Sequence, residues 1–133
     1  MNLLSVGALW LPWWVSGLSL FPQKLRNGSI LSLETQPLIG GPSWLPIHVQ
    51  VRLQTDSGLH KLDLIPQNAT NPEILMNLVL LQSVPAERRH LGTAEPRCLN
   101  VSSVGRDEIH LLRYNCWSYA FQVYQYIQEQ QMD

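Results

Sequence analysis

Residues 47–65 read IHVQVRLQTDSGLHKLDLI and carry the clearest strand pattern in this chain of 133 residues. Apolar and polar side chains alternate from Ile47 to Leu53, as they do in a strand with one apolar and one polar face. Asp56–Gly58 has the composition of a turn, and Leu59–Ile65 then alternates again up to Pro66. The stretch therefore predicts a β-hairpin with a three-residue loop, in which Gly58 takes the left-handed conformation.

Weaker patterns on both sides of the hairpin indicate the remaining elements. In chain order, we expect a strand at 29–34, a loop at 36–46, a helix from 72 to about 82, one or two short strands such as 97–101 within a mixed region at 86–105, an extended piece at 109–112 and a helix at 115–130. Asn71 is the expected N-cap of the first helix, and Pro85 is expected to stop it. The pattern predicts a small α+β domain, with an antiparallel sheet packed on two helices.

Composition narrows the classes of function. Apolar residues make up 45% of the chain and charged residues 14%, and the formal net charge is −1. No block of basic residues is long enough to favour binding to nucleic acid. Two cysteines cannot form a four-ligand zinc site alone, and the four histidines show no tight Cys/His spacing, so we expect no structural metal.

The first 23 residues contain no charged side chain, and Lys24 and Arg26 follow at once. This segment has three readings: a membrane-spanning helix, a secretory signal, or an apolar segment that packs on its own domain or lies on a membrane surface. We therefore divide the chain into an apolar segment at 1–23 and one domain at 24–133. The basic flank favours a cytoplasmic, membrane-associated domain; the alternative is the secretory pathway, where three N-x-Ser/Thr sequons, at Asn27, Asn68 and Asn100, would matter.

Cys116 is the candidate nucleophile, because it falls on the first turn of the last predicted helix. A helix start offers N–H donors and partial positive charge, which favour the reactive thiolate, and Asn115 is a good N-cap. His48 opens the best strand and is the candidate base. The alternative is that Cys116 is an ordinary core residue. It shares one helical stripe with three apolar residues, Ala120, Val123 and Ile127.

This order of elements resembles the circularly permuted papain-like thiol hydrolases, and most closely the lecithin:retinol acyltransferase-like proteins and the makorin opposite-strand protein family. Ser29–Glu34 is similar to their opening strand, Ile47–Val51 to their histidine strand and Leu111–Cys116 to the approach to their nucleophile. Asn115–Ala120 matches the Asn-Cys-aromatic-Ser-Tyr-Ala motif of the makorin opposite-strand family. The resemblance covers roughly residues 27–127.

The resemblance implies that Cys116 attacks an acyl carbonyl and that His48 transfers the proton. The substrate would be an acyl group on a lipid or an amide, and no cofactor would be needed. A third polar residue would orient His48. His60 has the twelve-residue spacing of the acyltransferase-like proteins, but a three-residue loop would place it six residues away along the hairpin, or about 20 Å. His60 and Asp63 are thus both candidates for the third position.

The sequence also departs from the active families. Trp117-Ser118 follows Cys116 where the acyltransferase-like proteins carry Glu-His. Two alternatives therefore stand beside the enzyme. One is a catalytically inactive interaction domain on the same scaffold. The other is a small secreted glycoprotein with a Cys98–Cys116 disulfide.

Overall fold

The computed structural model describes residues 19–36, 48–93 and 101–132. These residues form six strands and two helices: β1 (Ser19–Lys24), β2 (Ile30–Gln36), β3 (His48–Thr55), β4 (Gly58–Pro66), α1 (Pro72–Val79), β5 (Val84–Gly92), β6 (Glu108–Ile109) and α2 (Cys116–Met132). Every strand pairs antiparallel with the next one along the chain, so the sheet order is the sequence order. The predicted α+β class with an antiparallel sheet is confirmed.

The hairpin between β3 and β4 is one residue tighter than the sequence predicts. Thr55 pairs with Gly58, which leaves a two-residue loop of Asp56 and Ser57. Gly58 has a φ of 139°, a conformation that glycine adopts without steric cost. The shorter loop shifts the pairing of the strands, so that His60 lies opposite Leu53 and not opposite Gln54.

The first helix is shorter than predicted. Asn71 caps it as expected, and its side chain accepts a hydrogen bond from the backbone N–H of Glu73 at 2.9 Å. The helix ends at Val79 and not near residue 82, because the chain turns sharply at Leu81, which has a φ of 61°. Pro85 therefore does not stop the helix but lies near the start of β5.

Two further boundaries differ from the prediction. The region at 86–105, which the sequence leaves mixed, contains most of a regular strand, β5. The strand predicted at 97–101 falls largely outside the described residues, and Val101, which is described, belongs to no strand. At the amino end, β1 pairs with β2, so the predicted division between residues 23 and 24 falls inside a strand of the sheet. Residues 1–18 lie outside the described part. Neither described helix has the length and apolar character needed to cross a membrane.

The main core lies between α2 and the middle of the sheet. α2 contacts β2, β3 and β4, whereas α1 contacts β5. The helix contributes a fully buried stripe of four residues, Tyr119, Ala120, Val123 and Ile127. Val123 and Ile127 each contribute about 2 kcal/mol through burial. The stripe confirms the predicted inward face of the last helix and holds its first turn against the sheet.

Candidate functional site

Cys116 is the first residue of α2, where the sequence places it. The Asn115 side-chain oxygen accepts hydrogen bonds from the backbone N–H groups of Trp117 and Ser118, at 3.0 and 3.1 Å, which is N-cap geometry. Cys116 is half-buried and carries a thiol, not a disulfide. The predicted Cys98–Cys116 disulfide is therefore wrong, and Cys98 lies outside the described residues.

His48 is the first residue of β3, and its side chain connects two partners. Its Nε2 lies 2.8 Å from Asp63 Oδ2, and its ring also makes a hydrogen bond with the Cys116 side chain. Because Nε2 is held by Asp63, Nδ1 is the ring nitrogen that remains for the sulfur. The structure thus brings together the cysteine and the histidine that the sequence singles out. It places His48 in the interior, 2% exposed, and not on a half-exposed polar face.

His48 carries a positive charge at neutral pH. Burial on its own would lower the pKa of the imidazole, but the hydrogen bonds and charges of Asp63 and Cys116 outweigh burial and raise that pKa from 6.5 to about 9. A histidine in this state can donate a proton to a leaving group. When it has lost that proton, it can accept one from water or another nucleophile.

Asp63 is the residue that holds His48 in place. It is completely buried, and its carboxylate also accepts hydrogen bonds from Gln50 at 3.0 Å and from Arg89 at 2.9 and 2.5 Å. Burial tends to raise the pKa of the carboxyl group, but the bonds from His48, Arg89 and Gln50 lower it to about 2. Asp63 is therefore ionised, so Nε2 of His48 is the hydrogen-bond donor.

His60 is not part of this group. It pairs with Leu53, which lies five residues, or about 16 Å, along β3 from His48. Because successive side chains of a strand point to opposite faces, the two histidines lie on opposite faces of the sheet. Its Nδ1 is 2.6 Å from Nε2 of His90. Burial, followed by the charge of His90, lowers the pKa of His60, and burial lowers that of His90. The twelve-residue spacing does not bring His60 to His48; Asp63 occupies the third position.

Sequence reasoning missed two residues of the site, Gln50 and Arg89. Gln50 could have been found, because it follows His48 by two positions and so shares its face of the strand. Arg89 could not, because the stretch around it reads as a solvated loop, whereas in the structure it lies in β5 opposite Asp63. Its position depends on a strand pairing that periodicity does not reveal.

The arrangement is a thiol, an imidazole and a carboxylate in hydrogen-bonded sequence at the start of a helix. Such a chain can support nucleophilic attack by sulfur with proton transfer through the ring. No cluster of three or more metal-binding side chains occurs in the described ranges. Comparisons of the chain with protein-family models, with curated proteins and with solved structures found no match.

Proposed function

We propose that this protein is a thiol-dependent acyl hydrolase or acyltransferase of the permuted papain-like type. Cys116 is the nucleophile, His48 is the general acid and base, and Asp63 is the residue that positions His48. The observation that carries the proposal is the His48 ring, which is hydrogen-bonded to Asp63 on one side and to Cys116 on the other.

The reaction proceeds in two halves. His48 takes the proton of the Cys116 thiol, the sulfur attacks the acyl carbonyl and a carbon–sulfur bond forms, and the bond to the leaving group breaks as His48 passes that proton to the leaving group. Water or an acceptor then attacks the thioester while His48 takes its proton, the carbon–sulfur bond breaks, and the proton on His48 returns to the Cys116 sulfur. The substrate is an acyl group on a lipid or an amide, in line with the family that the sequence resembles, and the reaction needs no cofactor.

Buried hydrogen bonds at the site favour this chemistry over a chance contact. Asp63 receives four hydrogen bonds from three side chains, which fixes the carboxylate and, through Nε2, the plane of the His48 ring. A fixed ring keeps its second nitrogen directed at the sulfur. This is the orienting role of the third residue in catalytic triads.

Trapping of the acyl-enzyme tests the proposal. The full chain, with Cys98→Ser to leave one thiol, is incubated with p-nitrophenyl octanoate, and intact-mass and peptide spectrometry locate the adduct. We expect an octanoyl group on Cys116 and a burst of p-nitrophenol of up to one equivalent. His48→Asn should slow its formation by at least about 100-fold.

His60→Asn is the matched control, because His60 is a buried histidine of the same sheet that lies away from Cys116. We expect this variant to acylate within about threefold of the parent rate, as long as circular dichroism shows that it is folded. The proposal is wrong if the parent chain forms no adduct, if Cys116→Ser forms the same one, or if His48→Asn and His60→Asn behave alike.

The second candidate is a catalytically silent interaction domain on the same scaffold. The observation that favours it is the near-complete burial of the ion network, in which His48 is 2% exposed and Asp63 is not exposed at all. A network of this kind can be purely structural. In that case Cys116 should react with iodoacetamide no faster in the folded chain than Cys98 does after unfolding.

A further inference from the structure

Exposed aliphatic side chains concentrate at the end of the sheet that carries the thiol. His48 opens β3, opposite Gln36 at the end of β2, and its ring makes a hydrogen bond with Cys116, so these residues mark that end. Six of the ten large hydrophobic side chains that are exposed in the described ranges lie in two connections there: Met76, Val79, Leu80, Leu81, Leu111 and Leu112. Single exposed apolar residues are ordinary, but a concentration of them indicates a surface that meets an apolar partner.

The strand pairing puts both connections at this end. β4 runs antiparallel to β3 and leaves the sheet at Pro66, opposite Ala86 near the start of β5, so the connection that contains α1 begins and ends here. No charged side chain occurs from residue 74 to residue 86, a range that includes most of this connection. β6 runs antiparallel to β5, and Ile109 pairs with Val84, so the chain also leaves β6 at this end.

The second connection forms a fixed apolar turn directly before the nucleophile. The backbone N–H groups of Leu112 and Arg113 both donate to Nδ1 of His110, at 3.2 and 3.1 Å. The side chain of Asn115, the N-cap of α2, donates to the backbone oxygen of Leu111 at 2.8 Å. Residues 111–113, called the leucine turn below, are thus tied to the start of α2, while the Leu112 side chain is 72% exposed.

Three features of this end fit a lipid surface. Aliphatic side chains that project from a fixed turn can enter the boundary between lipid headgroups and acyl chains. Arg113 is the one charged residue of the leucine turn, and it is exposed, which suits a headgroup phosphate. Residues 1–18 contain no charged side chain, and they join the sheet at the same end, because Ser19 pairs with Glu34 near the end of β2.

We propose that this end of the domain docks on a phospholipid surface through the leucine turn and the aliphatic residues at the end of α1. Docking would bring Cys116, four residues after Leu112, close to the boundary at which the ester bonds of phospholipids lie. The docking goes beyond the thiol chemistry and does not depend on it. Where both hold, the acyl donor is a lipid and not an amide.

Sedimentation of the full chain with phosphatidylcholine vesicles tests the docking. We expect the parent to bind, and Leu111→Gln combined with Leu112→Gln to weaken binding at least about tenfold, because the variant withdraws two leucine side chains from the interface. Val79→Gln combined with Leu80→Gln should do the same. All four side chains are exposed, so the thermal midpoints of both variants should stay near that of the parent.

Ile30→Gln combined with Leu91→Gln is the matched control. Both residues are exposed at the other end of the sheet, where they pair with Gln54 and Lys61. This variant should bind within about twofold of the parent, and Cys116→Ser should do the same, which separates docking from the thiol chemistry.

Absence of vesicle binding by the parent overturns the inference, and so does equal loss of binding in the leucine-turn variant and the control. Binding that the leucine-turn variant retains in full also overturns it, because docking would then depend on another part of the chain. Size-exclusion chromatography without lipid covers the remaining occupant. A dimer that the leucine-turn variant dissociates would assign this surface to a second copy of the chain and would contradict the proposal.

Discussion

Replacing Asp63 with asparagine removes a buried carboxylate on which four hydrogen bonds converge. His48 then loses the partner that contributes most to raising its pKa. The gap between pKa 6.5 and about 9, at about 1.4 kcal/mol per pKa unit, corresponds to about 3 kcal/mol. Part of that difference in pKa comes from Cys116, which the substitution leaves in place, and this lowers the expected cost. Arg89 also loses its carboxylate partner, and this raises the cost. We therefore expect Asp63→Asn to cost about 2–4 kcal/mol of unfolding free energy at neutral pH.

The pH dependence of this loss of stability shows whether the contact between His48 and Asp63 is its cause. The folded pKa of His48 lies above its unfolded value, so its contact with Asp63 contributes fully below pH 6.5 and is lost as the pH rises through about 9. The folded pKa of Asp63 is depressed, so the contact contributes fully above pH 3.8 and is lost as the pH falls through about 2. The difference between parent and variant should form a plateau from about pH 4 to 6.5. The two shifts describe one interaction and are not added.

Urea denaturation followed by circular dichroism, at several values from pH 4 to 10, measures this difference. Other groups titrate in the same range, but they are common to both chains and cancel in the comparison. We expect the difference in unfolding free energy to shrink between pH 7 and 10. It should approach the part that comes from the hydrogen bonds of Arg89 and Gln50 to Asp63. A variant as stable as the parent, or a difference that stays constant up to pH 10, would refute the reasoning.

Three further substitutions test other parts of the account, each by urea denaturation at pH 7. Tyr119→Phe should raise the free energy of unfolding by about 1 kcal/mol, because it removes an unsatisfied buried hydroxyl; a loss would mean that the hydroxyl has a partner. Gly105→Ala should cost about 2–3 kcal/mol, since Gly105 has a φ of 90° and an added Cβ would lie 2.6 Å from the Tyr114 hydroxyl; a neutral result would argue against this packing. Asn115→Ala should cost about 1 kcal/mol through loss of the N-cap, and no loss would show that the cap contributes nothing.

The sequence predicts those features that local periodicity and capping determine. Alternation locates β3 and β4, and the apolar stripe with Asn115 locates α2, so the positions of His48 and Cys116 at the starts of their elements follow. Periodicity does not determine loop length. The hairpin turns one residue earlier than predicted, and this shift separates His60 from the face that carries His48.

Other features depend on contacts between distant parts of the chain. Arg89 reaches Asp63 only because β5 pairs with β4, and the sequence around Arg89 has no regular alternation. Likewise, the sequence of β1 has little strand pattern. Its backbone is irregular, with a φ of 50° at Phe21 and a break in its pairing, and the strand depends on β2 as its partner. Burial of His48 also escapes prediction, because a polar residue is tolerated inside only when its partners are supplied by other strands.

The rate of Cys116 alkylation tests the central claim most directly. The full chain with Cys98→Ser is treated with iodoacetamide at pH 7, and peptide mass spectrometry measures the rate at Cys116. The His48 ring lies beside the sulfur and can take its proton, so we expect His48→Asn to slow alkylation by at least about tenfold, and His60→Asn to stay within about threefold of the parent rate. Equal rates in the parent and in His48→Asn, or equal slowing in His48→Asn and His60→Asn, would contradict the account.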